Sequence, residues 1–216
     1  FGQLDNWNTL GKYFGEEFTT HLIDLRNHGR SFHNEDSSLK AMTQDIVNYM
    51  DTNHIEKAHL LGHSLGGRIV IDFAMQYQDR LDHLIVADMA PKAYQPHHNT
   101  IFKALKSVNF EEIASRKDVE NIFEQYIPEV GVRQFLMKNV YHAENGQYAF
   151  RFNLSSLDKY YQELIGSELL KGVFNGPTLF LGGANSNYIL AEDKIMIRER
   201  FPNAEIKKIA NAGHWL

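Results

Sequence analysis

The stretch that most constrains how this chain can fold runs from Lys57 to Tyr77, K-A-H-L-L-G-H-S-L-G-G-R-I-V-I-D-F-A-M-Q-Y. His59-Leu60-Leu61 reads as a short buried strand. After Gly62-His63-Ser64-Leu65-Gly66, the residues Ile69, Val70, Phe73, Ala74 and Tyr77 recur at helical spacing on one face. A strand must therefore turn into a helix within a few residues, with Ser64 at the corner. So tight a corner holds Ser64 in a strained conformation. Gly62 and Gly66 are expected to remove side chains that would collide on either side of it. Gly67 is expected to let the helix lie close to the sheet.

Strand, G-x-S-x-G and helix in that order are the context of a nucleophile elbow. The turn would lift Ser64 Oγ clear of the sheet. It would also set the Leu65 N–H at a helix N-terminus, facing a developing oxyanion. A chance G-x-S-x-G in a chain of this length has a probability of roughly 0.07, so the pattern counts through its context. A second pattern overlaps it, since Gly62 and Gly67 have the spacing of a phosphate-binding loop. That loop needs Lys and then Ser or Thr next. Arg68 and Ile69 stand there instead, which rejects the nucleotide reading.

At 216 residues the chain can bury one sizeable core, organised as one domain carrying an insertion. A net charge of −5 gives no reason to expect nucleic acid or an anionic membrane as partner. With no cysteine, disulfides, thiolate metal sites and a thiol nucleophile are excluded. No run of 18 apolar residues is present to span a membrane. The opening F-G-Q-L-D-N-W-N is neither a signal peptide nor an initiator region. A cytoplasmic location is the expectation, with a targeting segment before Phe1 left open.

Taken in order, Leu4 to Phe18 reads as a loop leading into a helix, with Trp7, Leu10 and Phe14 at helical spacing. Thr20 to Asp24 is expected as a strand, followed by a polar turn from Arg26 to Ser31. Ser38 to Asn53 is an amphipathic helix with Met42, Ile46, Tyr49 and Met50 turned inward. Further strands are expected at Leu84–Asp88, Pro177–Leu181 and Glu205–Ala210. Strands alternating with helices predict an α/β fold with a mostly parallel sheet flanked by helices. Function in such sheets gathers at the carboxyl ends of the strands, where Ser64, Asp88 and His214 all fall. Between Lys92 and Asn175 the alternation stops. Helical patterns at Ile101–Val108, Val119–Ile127, Val132–Val140 and Leu157–Ile165, with one short strand at Tyr148–Phe152, suggest a helical lid whose apolar faces form an acyl pocket. The expected division is core at 1–91, lid insertion at 92–175 and core again at 176–216.

The elbow, the D-x-R-N-H-G-x-S turn from Asp24 to Ser31 and the terminal G-H-W resemble the α/β-hydrolase superfamily. Phe1-Gly2-x-Leu4-Asp5-Asn6-Trp7, Asp88-Met89-Ala90-Pro91, Arg133-Gln134-Phe135-Leu136, Phe150-Arg151-Phe152-Asn153-Leu154, and Gly182-Gly183 with Ser186 are similar to the small YbfF-type bacterial esterases and their mitochondrial relatives. The resemblance implies N-terminal strands ahead of Phe1, one of them between the strands at Leu22 and Leu60, and a final helix after His214. It also implies a Ser-His-Asp triad of Ser64, His214 and Asp88, in the chain order Ser…Asp…His. Most superfamily members carry the acid after the strand at Leu179–Leu181, but Gly183 to Tyr188 holds no carboxylate. Asp88, at the end of the strand after the elbow, is the candidate, with Glu192 or Asp193 as alternatives. The oxyanion donors would be the backbone of Leu65 and, from the resemblance, of Phe1. His28 and His63 flank the site, the latter lining the substrate pocket. Metal binding is not expected, including at His97-His98 or among His33, Glu35 and Asp36, and no cofactor is needed.

The reading is a serine hydrolase acting on small carboxylic esters of short- to medium-chain acids. The same triad would serve an acyl-CoA thioesterase, a C–C hydrolase or a perhydrolase. Lys103, Lys106, Arg116 and Lys117 would then be the candidates for CoA phosphates. A non-catalytic α/β-hydrolase-fold binding protein is the rival of a different class. The sequence leaves oligomeric state open.

Overall fold

In the computed structural model, which describes residues 1–96 and 98–216, the chain alternates helix and strand around the elbow. The elements in order are α1 (Asn8–Phe14), α2 (Leu39–Thr52), β1 (Ala58–His63), α3 (Leu65–Gln76), β2 (Leu81–Ala87), α4 (Asn99–Lys106), α5 (Arg116–Glu124) and α6 (Val130–Met137). They continue with β3 (Val140–His142), β4 (Tyr148–Phe150), α7 (Leu154–Gly166), β5 (Thr178–Gly183), α8 (Asp193–Arg200) and β6 (Ala204–Ile209). Two compact units result, one of residues 1–37 with 96–161 and the other of 38–95 with 162–216.

The second unit holds a parallel four-stranded sheet in the order β1-β2-β5-β6. Parallel strands need crossovers, and α3 supplies the one between β1 and β2. That helix is buried on almost every side: Ile69, Ile71, Phe73 and Ala74 are at most 1% exposed. Leu84 and Val86 from β2, Phe180 from β5, Ile197 from α8 and Phe201 complete this core. On α2 the expected inward face is largely present, with Met42, Ile46 and Met50 buried, joined by Val47. Thr43 Oγ donates to Asp72 on α3 at 2.7 Å, giving that buried carboxylate a partner.

Arg68 is the largest fully buried side chain. It survives burial because its two terminal nitrogens donate to the Lys92 and Ser167 carbonyls, each at 2.6 Å. Burial pulls its guanidinium down to about 10, still charged at neutral pH. Close by, the Tyr94 N–H donates to the Ile165 carbonyl at 2.8 Å.

The first unit is built on an aromatic chain rather than a sheet. Phe1 packs on Phe102 and Phe152, which stacks on Phe150, and Phe150 in turn meets Phe110 and Phe123. Helices α4, α5, α6 and the first turns of α7 are close to the expected spans. The strand at Tyr148 pairs antiparallel with β3, an element the sequence pattern does not single out. Thr20 to Asp24, expected as a strand, is none. Among the described residues no ladder pairs with it, and an extended segment without a neighbour has no sheet hydrogen bonds to make. Helix α1 buries none of its residues, and Leu10 is 46% exposed.

The Asp24–Ser31 turn follows directly from its residues. Asp24 accepts from the Leu4 and Arg30 N–H groups at 2.6 and 2.8 Å. At Gly29, φ is +52°, and a Cβ there would lie 2.2 Å from the Asp24 carboxylate, so only glycine fits. Asn27, fully buried at φ +62°, donates to Ser37 Oγ at 2.6 Å and accepts from the Asn34 N–H at 2.7 Å. Ser37 Oγ in turn meets Ser156 Oγ at 2.7 Å. Replacing Asn27 by Ala strands these partners. The expected loss is about 1–3 kcal/mol, measured as a lower urea midpoint for Asn27→Ala than for the intact protein.

Candidate active site

The corner between β1 and α3 forces the serine into place. A Cβ on Gly62 would sit 2.2 Å from the Gly66 carbonyl oxygen, and one on Gly67 would lie 2.9 Å from Met89 Cβ. Gly62 is thus required by the turn and Gly67 by the close approach of helix to sheet. Gly66 departs from expectation, because a Cβ there meets nothing within 4 Å. Its carbonyl, not its α-carbon, fills the space beside Gly62. Between them Ser64 adopts φ +54° and ψ −118°, and its N–H donates to the Ala87 carbonyl at 3.1 Å. Leu65 opens the twelve-residue α3, so its N–H has no partner within the helix.

One residue past β2, Asp88 is completely buried and also has positive φ, at +45°. Its Oδ1 accepts from the Gly183 N–H at 3.0 Å, and its Oδ2 accepts from the Ser186 hydroxyl in a short bond. The third contact is with His214, whose Nδ1 lies 2.8 Å from Oδ2. Burial pushes the Asp88 carboxyl up, but the bonds from His214, Ser186 and Gly183 together outweigh it and hold it below the usual carboxylate range. On the far side of the ring, His214 Nε2 lies 3.0 Å from Ser64 Oγ. Serine, imidazole and carboxylate therefore stand in one hydrogen-bonded line.

The loop carrying His214 is fixed by the opening of β5. A Cβ on Gly183 would fall 2.0 Å from the Gly213 carbonyl oxygen, and the Asn185 N–H donates to the Ala212 carbonyl at 2.8 Å. The imidazole is stacked on Tyr188, with ring centroids 3.9 Å apart and planes at 17°. On its other flank is His63, ring to ring at 4.6 Å. Burial pushes His63 down to about 4, so it is neutral, and its Nε2–H donates to the His214 carbonyl at 2.6 Å. His63, read from sequence as structural or pocket-lining, anchors the His214 backbone.

The other candidates separate cleanly. Glu192 stands exposed at the start of α8, and Asp193 is paired with Lys92 Nζ at 2.6 Å, leaving Asp88 as the carboxylate bonded to His214. Phe1 belongs to the other unit, where its carbonyl accepts from Asn139 Nδ2 at 2.9 Å. His28 is buried and pushed down to about 3, and its Nδ1–H donates to the Arg26 carbonyl at 3.0 Å, a structural role. His33 lies 2.9 Å through Nε2 from the Arg151 carbonyl, and His98 stacks on Tyr161. His97 lies outside the described residues. Sequence reasoning did not assign a role to Ser186 or Tyr188. Spacing along the chain cannot show that a hydroxyl two residues before a tyrosine reaches back to the end of a different strand.

Two outcomes follow from this geometry. Gly62→Ala should cost several kcal/mol, on the order of 3 or more given a backbone clash, whereas Gly66→Ala in the first turn of α3 should leave the unfolding temperature within a few degrees of its starting value. Buried neutral histidines also set a pH dependence. His63 and His28 bind a proton in the unfolded chain below the usual histidine pKa of about 6.5 but not in the folded one. Stability should therefore fall as pH drops from about 6.5 towards 4, and the fall should be shallower in His63→Gln, read from urea midpoints across that range.

Comparison with known proteins agrees with this architecture. The family model for the alpha/beta hydrolase fold matches residues 1–109. The chain is 34% identical to esterase YbfF of Escherichia coli, over all of this chain and 83% of that protein. It is 33% identical to the sn-1-specific diacylglycerol lipase ABHD11 of Danio rerio, over all of this chain and 70% of that protein. Among solved structures, a marine microorganism esterase superposes with a TM-score of 0.96 at 36% identity, covering all of this chain and 85% of that one. Taken with the elbow and the sheet, these likenesses show that the chain belongs to the α/β-hydrolase family, in its YbfF-type esterase branch.

Proposed function

We propose that this hydrolase cleaves small carboxylic esters through an acyl-enzyme formed on Ser64. The observation that carries the reading is the line Ser64 Oγ, His214 Nε2, His214 Nδ1, Asp88 Oδ2, with gaps of 3.0 and 2.8 Å. Both are within the reach that proton transfer and orientation require.

In this reading Ser64 Oγ attacks the acyl carbonyl carbon while His214 Nε2 takes its proton. The carbonyl electrons move to oxygen, and the Leu65 N–H at the start of α3 stabilises that charge. His214 then returns the proton to the departing alcohol. In the second half water attacks the acyl-enzyme, His214 again serving as base, and the acid leaves with Ser64 restored. Asp88 keeps Nδ1 protonated and Nε2 free to accept, and it stabilises the imidazolium formed in each half. Bonds from Gly183 and Ser186 hold the carboxylate in its ionised form.

The thioester variant of this chemistry gains no support from the basic residues first considered for CoA. Lys106 is paired with Asp158 at 2.7 Å and Lys117 with Glu120 at 3.0 Å, Lys103 Nζ lies 5.8 Å from the centre of the Tyr126 ring, and Arg116 donates to the Met137 carbonyl at 2.6 Å.

Hydrolysis of p-nitrophenyl acetate and butyrate tests the proposal. Ser64→Ala should abolish turnover and labelling by a fluorophosphonate probe. Asp88→Asn should lower kcat by about 10⁴-fold, with little change in KM. A wild-type protein inert to both esters and to the probe would overturn the reading.

A further inference from the structure

At the opposite end of the same strands lies a group that ester cleavage does not use. His59 is the second residue of β1, and Asp82 and His83 are the second and third of β2. In a regular strand two consecutive residues point to opposite faces. Here the β1–β2 register slips, with Ala58 opposite Leu81 but Leu60 opposite Leu84. One residue, His59, therefore faces two, Asp82 and His83, and a bulge of this kind re-aims side chains. As a result Asp82 Oδ2 lies 3.5 Å from His59 Nδ1 and 3.4 Å from His83 Nδ1. The two imidazoles meet at 4.8 Å between centroids.

The two nitrogen–oxygen spacings match those of ligands around a metal ion. Zn–N and Zn–O bonds of about 2.1 Å at tetrahedral angles put neighbouring ligand atoms about 3.4 Å apart. One ligand atom from each of the three residues lies within 4.8 Å of the others, and all three residues are solvent-exposed. Solvent can then complete the coordination shell. We propose that His59, Asp82 and His83 form a surface site for a divalent transition-metal ion of the zinc class, which staples β1 to β2. Two imidazoles and one carboxylate suit zinc, nickel or copper over magnesium or calcium, which take oxygen ligands. Lys57 Nζ, 3.7 Å from Asp82 Oδ1, is the one cation recorded at this carboxylate among the described residues, and the ion would compete with it.

The site is separate from the serine. Five residues of strand rise at about 3.3 Å each put His59 roughly 16 Å from Ser64. Its occupation should therefore leave ester hydrolysis unchanged and act on stability, because an ion that binds the folded state alone raises the unfolding temperature.

Isothermal titration of the chelator-treated protein with zinc chloride tests this, alongside His59→Ala, His83→Ala and magnesium chloride. The expected result is one equivalent of zinc bound by the wild type, at least tenfold weaker binding in either variant, and no binding of magnesium. Zinc at one hundred times its wild-type Kd should raise the wild-type unfolding temperature by about 5 °C and that of either variant by about half as much or less. Because the three side chains are exposed, the metal-free variants should melt where the wild type does. No zinc binding by the wild type would overturn the proposal. Wild-type affinity in both variants would overturn it too. So would zinc inhibition of ester hydrolysis that tracks binding and persists in His83→Ala, which would place the ion at His214.

Discussion

A ladder that continues past the ends of its strands holds this structure's chemistry in register. The Ser64 N–H donates to the Ala87 carbonyl, the Asp88 N–H to that of Leu181, and the Ala184 N–H to that of Ile209. Strands β1, β2 and β5 thus each hand the first residue past their end to the neighbouring strand. Serine, aspartate, the Gly182-Gly183 opening and the histidine loop fall in one row across four strands. Ser64 and Asp88 both take positive φ to leave that row, a cost on the order of 1–3 kcal/mol each. It is offset by contacts that admit no alternative, such as the Gly66 carbonyl lying where any side chain on residue 62 would be.

Around His214 two neighbours are treated in opposite ways. Asp88 is buried yet kept ionised by three donors, whereas His63 is half-buried and kept neutral. A positive charge appearing on the His214 ring would meet an anion at Nδ1 and no second cation at His63. It would also lie against the π-face of Tyr188, which attracts a cation.

How much of this could be read in the sequence depended on whether the signal was local. The elbow was legible because its glycines and the apolar spacing of α3 sit within one stretch, and the core helices because their periodicity is self-contained. Asp88 could be singled out by its place at a strand end, but its bonds to Gly183 and Ser186 depend on how β2 pairs with β5. Gly66 was misjudged because the motif does not say which atom of a glycine fills the space. Thr20–Asp24 has a strand's composition but, among the described residues, no strand pairs with it, and composition cannot supply one. The bulge that brings Asp82 and His83 together opposite His59 was invisible for a related reason: a register slip between two strands leaves no mark on either strand alone.

The buried clasp of Arg68 has a consequence for how this fold tolerates change. Its guanidinium holds the Lys92 and Ser167 carbonyls, and the Tyr94–Ile165 bond lies just beyond them. The chain therefore leaves the sheet-bearing unit and re-enters it through a closed neck. With the neck tied to the interior of α3, the two points at which the chain leaves and re-enters this unit are held together. Each doubling of such a loop's length adds only about 0.6 kcal/mol of closure entropy. Changes of length between Gln95 and Glu163 would therefore leave this neck in place, provided that Phe102, Phe150 and Phe152 keep their packing with Phe1.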